Sequence, residues 1–282
     1  MRLCRFNDTR FGMVDGAQVA DITEALDVLP PVRWPLPLGD LMVANLPSIV
    51  KRAQSLLPAA KRLPLADCRL LSPVGNPSKV MGAPLNYRDH IDESKTDSMR
   101  HDHKLTTAED QGLFLKAGSS LIGPGQSILQ RFPTRRSDHE AELAIVIGKQ
   151  GRNIPQDQVR NHIAGACIGL DMTVRGPEFQ CFRKSPDTYC VLGPWLTTLD
   201  DCPDLANIDF SLEVNGELRQ KSNTSYMIVS IERLITIAST YSTLYPGDVV
   251  LTGTCSGVGP VKPGDVITTE FRGLGRMEVQ VA

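Results

Sequence analysis

The chain has 282 residues, enough for one large domain or a large and a small one, so a full hydrophobic core is within reach. Thirty basic residues against 32 acidic ones leave a formal charge of -2, which gives no field able to hold a nucleic-acid backbone or an anionic membrane. Aromatics are only 5% while Gly (23) and Pro (20) are abundant, a balance that suits short strands and turns and predicts an α+β, β-rich fold.

In chain order, residues 1–75 read as a small N-terminal α/β domain, with strands over 2–6 and 18–22, a turn at Gly12 and a helix over 48–57. Pro30, Pro31, Pro35 and Pro37 break its middle. Residues 76–282 form the second unit, where brief strands are expected over 113–116, 141–147, 210–214, 249–252 and 266–271. Asn215-Gly216 between two alternating runs marks a hairpin, and Pro246-Gly247-Asp248 and Pro263-Gly264-Asp265 each introduce a strand. Helices are expected over 156–163 and 228–240. The seven cysteines are odd in number, scattered and never spaced Cys-x-x-Cys, so neither a disulfide framework nor a zinc site is expected. No targeting stretch follows Met1 and no apolar run reaches membrane length, so a cytoplasmic protein is expected.

In Asp138-His139-Glu140-Ala141-Glu142, the two glutamates stand two apart at the head of an apolar strand. Strand alternation puts both carboxylates on one face, roughly 7 Å apart along it, where like charges repel. A shared cation would relieve that repulsion, and a charged, solvent-facing strand edge would account for the pair equally well. Asp171 ends a second small, apolar strand over 165–171 and offers a third oxygen ligand. Three carboxylates with room for water suit Mg²⁺ or Mn²⁺, whereas zinc would recruit His or Cys. His139 is the neighbouring candidate, and alternation turns it to the opposite face.

The order of several segments resembles the fumarylacetoacetate hydrolase family. They are Asn86-Tyr87-Arg88-Asp89-His90, Leu113-Phe114-Leu115-Lys116, Glu140-Ala141-Glu142-Leu143, Asp171-Met172-Thr173-Val174-Arg175, Arg183-Lys184-Ser185-Pro186-Asp187-Thr188, Leu192-Gly193-Pro194-Trp195, Val214-Asn215-Gly216-Glu217 and Thr252-Gly253-Thr254. The resemblance implies a mixed β-roll catalytic domain, a homodimer, and Glu140, Glu142 and Asp171 as ligands of Mg²⁺ or Mn²⁺. It also implies Arg175, Thr254 and Tyr87 around the substrate, Lys184 as a catalytic cation, and His90 with Glu93 as an acid–base pair on a mobile segment. His-x-x-Glu fits that role, because one helical turn lets the carboxylate orient the imidazole and raise its basicity.

The activity so implied is C–C cleavage of a small 2,4-dioxo acid such as an acylpyruvate, water being activated by His90 and Glu93 and the departing pyruvate enolate lying beside Lys184 and the ion. Hydration, decarboxylation and isomerisation of 2-oxo acids pass through the same charge and remain alternatives. A non-catalytic organic-acid-binding protein would dispense with His90, Glu93 and Lys184, all of which are present. This sequence departs from the common pattern at Cys255, where Pro is usual, at Gly176, where an acid is usual, and in the short connection from Arg175 to Lys184. Residues 94–111, with His101 and His103, read as a polar lid.

Overall fold

The computed structural model describes residues 1–96 and 106–282. Ala141–Ile147 and Ile163–Asp171 are neighbours in the middle of its main sheet and are buried almost throughout. Near-continuous apolar runs are what strands covered on both faces require. Alternation still sorts the side chains: Leu143, Ile145 and Ile147 enter the largest core cluster, while Ala144 and Val146 enter another cluster on the opposite face.

From edge to edge the main sheet runs Arg62–Pro64, Gln18–Asp21, Arg10–Asp15, Arg2–Phe6, Cys190–Thr198, Ile163–Asp171, Ala141–Ile147, Val249–Leu251, Val80–Gly82 and Phe114–Lys116. Leu70–Leu71 and Leu121–Ile122 pair onto it as short additions. The first strand ties the N-terminal residues into this sheet, with Arg2 opposite Thr197 and Leu3 opposite Leu196. A four-stranded sheet of Glu217–Asn223, Asp209–Val214, Val266–Phe271 and Gly275–Gln280 contributes Leu212, Ile267 and Phe271 to the largest core cluster. A ribbon of Thr173–Val174, Ser137–His139 and Gly259–Val261 carries the chain into and out of the site.

The strand-rich mixed architecture matches the expectation, and the hairpin at Asn215-Gly216 forms with φ of 53° and 78°, the left-handed pair that a tight hairpin turn needs. Two expected helices form as Leu46–Leu56 and Ile231–Tyr241, each burying one apolar stripe. The third does not: Gln156–His162 is a 3₁₀ segment after Pro155 with Val159 as its buried residue. One apolar anchor gives no stripe to hold an α-helix against the core. Among the described residues no helix is long and apolar enough to cross a membrane.

The N-terminal helices are fastened by Asp40. Its carboxylate accepts the Val43 N–H at 3.1 Å and the Gly75 and Asn76 N–H groups at 2.7 and 2.9 Å. Asp40→Ala would leave these donors without their acceptor in a buried position. We expect urea denaturation to show a loss of about 2–4 kcal/mol, and a loss below about 0.5 kcal/mol would mean that Asp40 is not the clasp.

Candidate active site

Register across the two central strands builds the acidic cluster. Glu142 lies opposite Gly169, and one step further the Asp171 N–H donates to the Glu140 carbonyl at 2.9 Å, so all three acids share one face. Each offers an oxygen within 4.8 Å of the others, and all three are buried. Gly169 is where a side chain would have intruded, since a Cβ there would lie 2.5 Å from Leu251.

Cations balance most of this charge. Lys184 Nζ donates to Glu140 Oε2 and Asp171 Oδ2, both at 2.6 Å, and to Thr173 Oγ1 at 2.8 Å. Lys116 Nζ donates to Asp171 Oδ1 at 2.5 Å and also to the Lys184 carbonyl. Arg175 donates through Nε to Asp138 at 2.7 Å and through Nη2 to Glu140 at 3.3 Å, while Arg136 holds the other Asp138 oxygen at 2.6 Å. Burial works against ionisation of Glu140, but Lys184 and Arg175 outweigh it and hold its carboxyl well below the usual range. Burial, then the Asp171 carboxylate, pushes the Glu142 carboxyl far up. Burial likewise opposes the charge on Lys184, and the three carboxylates overcome it and raise its pKa.

Glu142 is therefore the uncompensated member of the cluster: its Oε2 accepts the Gly253 N–H at 2.6 Å, and among the described residues no Lys or Arg pairs with it. A small divalent cation fits that imbalance and the all-oxygen donor set. His139 stands away from it in the preceding strand, with Nδ1 3.3 Å from Gln220 Oε1.

Helix Arg88–Thr96 brings His90 and Glu93 together. His90 Nδ1 lies 3.1 Å from Glu93 Oε2, and the helix is fastened to the loop after Val249–Leu251, where the Gly257 N–H donates to Glu93 Oε1 at 2.9 Å and Ser256 donates to Asp89 at 2.7 Å. Gly257 has φ of 91°, and a Cβ there would lie 1.9 Å from the Arg219 carbonyl, so the loop can sit this close only with glycine. His90 lines one cavity with Glu140, Glu142, Arg175, Lys184, Thr254, Phe114, Gln180 and Arg183. That cavity is about 30 Å³, room for roughly one water. Larger grooves of about 580 and 630 Å³ lie elsewhere, away from the acidic cluster.

Of the residues singled out in the sequence, His90, Glu140, Glu142, Arg175, Lys184 and Thr254 line this cavity, with Asp171 and Glu93 directly behind. Tyr87 stands apart, buried in the core with its ring edge-on to Phe210 at 6.1 Å. Lys116, Asp138, Thr173 and Gln220 had gone unnoticed. A lone cation closing the apolar run Phe114–Lys116 was a usable signal for the first; nothing local marks the others. Part of the expected lid, including His101 and His103, falls outside the described residues.

The family described as fumarylacetoacetate (FAA) hydrolase C-terminal matches residues 79–282. Maleylpyruvate hydrolase of Aquipseudomonas alcaligenes is 48% identical over 284 aligned positions, covering 100% of this chain and 99% of that protein. The mitochondrial oxaloacetate tautomerase fahd2 of Xenopus laevis is 34% identical over 98% of this chain and 88% of its own. Among solved structures, maleylpyruvate hydrolase from Sphingobium sp. SYK-6 in complex with manganese(II) and pyruvate superposes with a TM-score of 0.85 at 38% identity, covering 100% of this chain and 99% of that one.

Because burial and Asp171 push the Glu142 carboxyl far up, the metal-free fold must keep it protonated at a cost the unfolded chain does not bear, and replacing it has opposite effects with and without metal. Metal-free Glu142→Gln should melt higher than the parent, by about 2–4 °C for each kcal/mol of that cost removed. Saturating Mn²⁺ should raise the melting temperature of the parent strongly and that of the variant little. Equal Mn²⁺ stabilisation of both proteins would remove Glu142 from the ion's ligands.

Proposed function

The chain belongs to the fumarylacetoacetate hydrolase family, and on that premise we propose that it is a divalent-metal-dependent hydrolase cleaving the carbon–carbon bond of an acylpyruvate, a 2,4-dioxo acid of maleylpyruvate or fumarylpyruvate type. The observation that carries this reading is the meeting, in one buried cavity, of a His–Glu pair, a three-carboxylate cluster and a buried lysine.

Glu140, Glu142 and Asp171 would hold the ion, which when bound supplies Lewis-acid polarisation at the 2-oxo acid end of the substrate. His90 acts as the base. With Nδ1–H donated to Glu93, its Nε2 is left to take a proton from water, and the carboxylate stabilises the imidazolium that forms. The water oxygen adds to the carbonyl at carbon 4, the bond between carbons 3 and 4 breaks, and its electron pair stays on carbon 3 as the enolate of pyruvate. The acyl half leaves as a carboxylic acid. Lys184, a buried ammonium held among carboxylates, faces the charge that develops on the pyruvate half. The proton on His90 then passes to carbon 3, so water is divided between the two products. Because the cavity holds about one water, substrate entry requires the His90 helix to move.

The finer attributes rest on supporting features. Residues 1–75 are read as a bracing unit for the catalytic residues 76–282. A homodimer is supported by Phe132 and Phe182, exposed around one groove, and by the exposed Phe179. A cytoplasmic location is supported by seven unpaired cysteines, most of them buried. Oxaloacetate tautomerisation is the second reading, since the His90–Glu93 pair can shuttle a proton between carbon and oxygen without a water attack.

The test is turnover of maleylpyruvate, fumarylpyruvate and oxaloacetate by the purified protein with Mn²⁺ or Mg²⁺. We expect hydrolysis of the first two, and in His90→Ala a fall on the order of 10²-fold with Mn²⁺ and oxalate affinity kept within a few-fold. Hydrolysis by His90→Ala at near parental rate would eliminate His90 as the base. Tautomerisation without any hydrolysis by the parent would overturn the hydrolase reading in favour of the second.

A further inference from the structure

Gln220 is the fully buried residue of the otherwise accessible strand Glu217–Asn223. Its amide reaches across to the two segments that form the cavity floor. Oε1 accepts the Ala141 N–H at 3.0 Å and lies 3.3 Å from His139 Nδ1. Nε2 donates to Thr254 Oγ1 at 2.7 Å and to the Cys255 carbonyl at 3.0 Å. The orientation of this amide is not arbitrary, because a backbone N–H can only donate and a carbonyl can only accept. Ala141 lies between Glu140 and Glu142, and Thr254 lines the cavity. The loop is also pressed onto the Gln220 strand at Gly257, where no side chain could be inserted.

Hydrogen-bond accounting then decides what Thr254 can do. Its hydroxyl has one proton, and the Ala141 carbonyl at 2.8 Å can take nothing else from it. The Gln220 N–H occupies one lone pair of the same oxygen. One lone pair is left, so toward the cavity the hydroxyl accepts and cannot donate. A donor on the ligand suits it, as in the enol form of a 2,4-dioxo acid or an ordered water, and a bare carboxylate oxygen does not.

We propose that Gln220 is a positioning residue that acts through Thr254, clamping it to Ala141 so that its hydroxyl meets the substrate as a hydrogen-bond acceptor only. This rests on the acylpyruvate reading for its assay, and the geometry of the clamp is independent of it. Without the amide, the Thr254 hydroxyl is free to turn, and the fixed acceptor is lost.

The experiment is a double-mutant cycle of Gln220→Met and Thr254→Val, read as kcat/KM for an enolised acylpyruvate and, where there is no turnover, as the calorimetric Kd of that same acylpyruvate on Mn²⁺-loaded protein. Gln220→Met alone should lower kcat/KM by about 10- to 100-fold, the loss expected for an oriented hydrogen bond in a buried site. In the Thr254→Val background the same change should cost no more than about threefold, with Mn²⁺ affinity kept in every variant. Equal cost in both backgrounds would show a merely structural role and overturn the proposal, as would parental turnover by Gln220→Met. Should Gln220→Met not fold, Gln220→Asn carries the cycle, since it keeps a polar amide at the position but is one methylene too short to bridge Ala141 and Thr254 together. A parent protein inactive on acylpyruvates would sink the functional reading, and the acylpyruvate Kd, weakened by Gln220→Met in the parent and not in the Thr254→Val background, would still decide on Gln220.

Discussion

Three carboxylates confined within 4.8 Å of one another and shielded from water are the constraint around which this molecule is organised. Left alone they would neutralise by taking up protons or would force the strands apart. The fold meets the problem with a fixed set of buried cations. Lys116 and Lys184, one before and one after Asp171 in the sequence, both clasp it, and Arg175 is shared between Glu140 and Asp138. That compensation stops one carboxylate short, at Glu142. A site of this kind is built to be completed by an ion, and its stability and its chemistry are coupled for that reason.

His90 and Glu93 stand on a separate helix, where the imidazole meets Glu93 and Glu93 in turn accepts a backbone N–H. The His90–Glu93 pair and the carboxylate cluster thus sit on different elements, joined by the loop that also carries Thr254. Gln220 ties that loop to the strand of the acidic cluster. The loop also reaches the carboxylates directly, through the Gly253 N–H on Glu142.

What could be read from the sequence follows from how local each signal is. Glu140 and Glu142 two apart on an apolar run, and His90 and Glu93 three apart on a turn of helix, declare themselves through short periodicities. Asp171 was visible as the acid closing a small-residue strand, but its position beside Glu140 depends on antiparallel register, a long-range property. Arg175 and Lys184, which taken singly read as surface cations, are buried, and only pairing across the fold gives them that place. Asp138, Thr173 and Gln220 owe their significance wholly to tertiary contacts, so no pattern announces them. The helix expected over 156–163 failed for a local reason, one buried residue where a stripe was needed.

The departures from the common family pattern also have a physical account. Gly176 follows Arg175 where an acid is usual, and a Cβ there would lie 2.0 Å from Arg135 Nη2. Arg135 instead donates to the Arg175 carbonyl at 2.9 Å and forms a two-pronged pair with Glu178 at 3.0 and 2.7 Å. The missing acid is in effect supplied two residues later, on a tighter path. That path turns directly into helix Gln180–Arg183, which delivers Lys184 to the carboxylates and sets Gln180 and Arg183 in the cavity wall. The short connection thus both completes the charge balance of the acidic cluster, through Lys184, and builds the wall beside it, through Gln180 and Arg183.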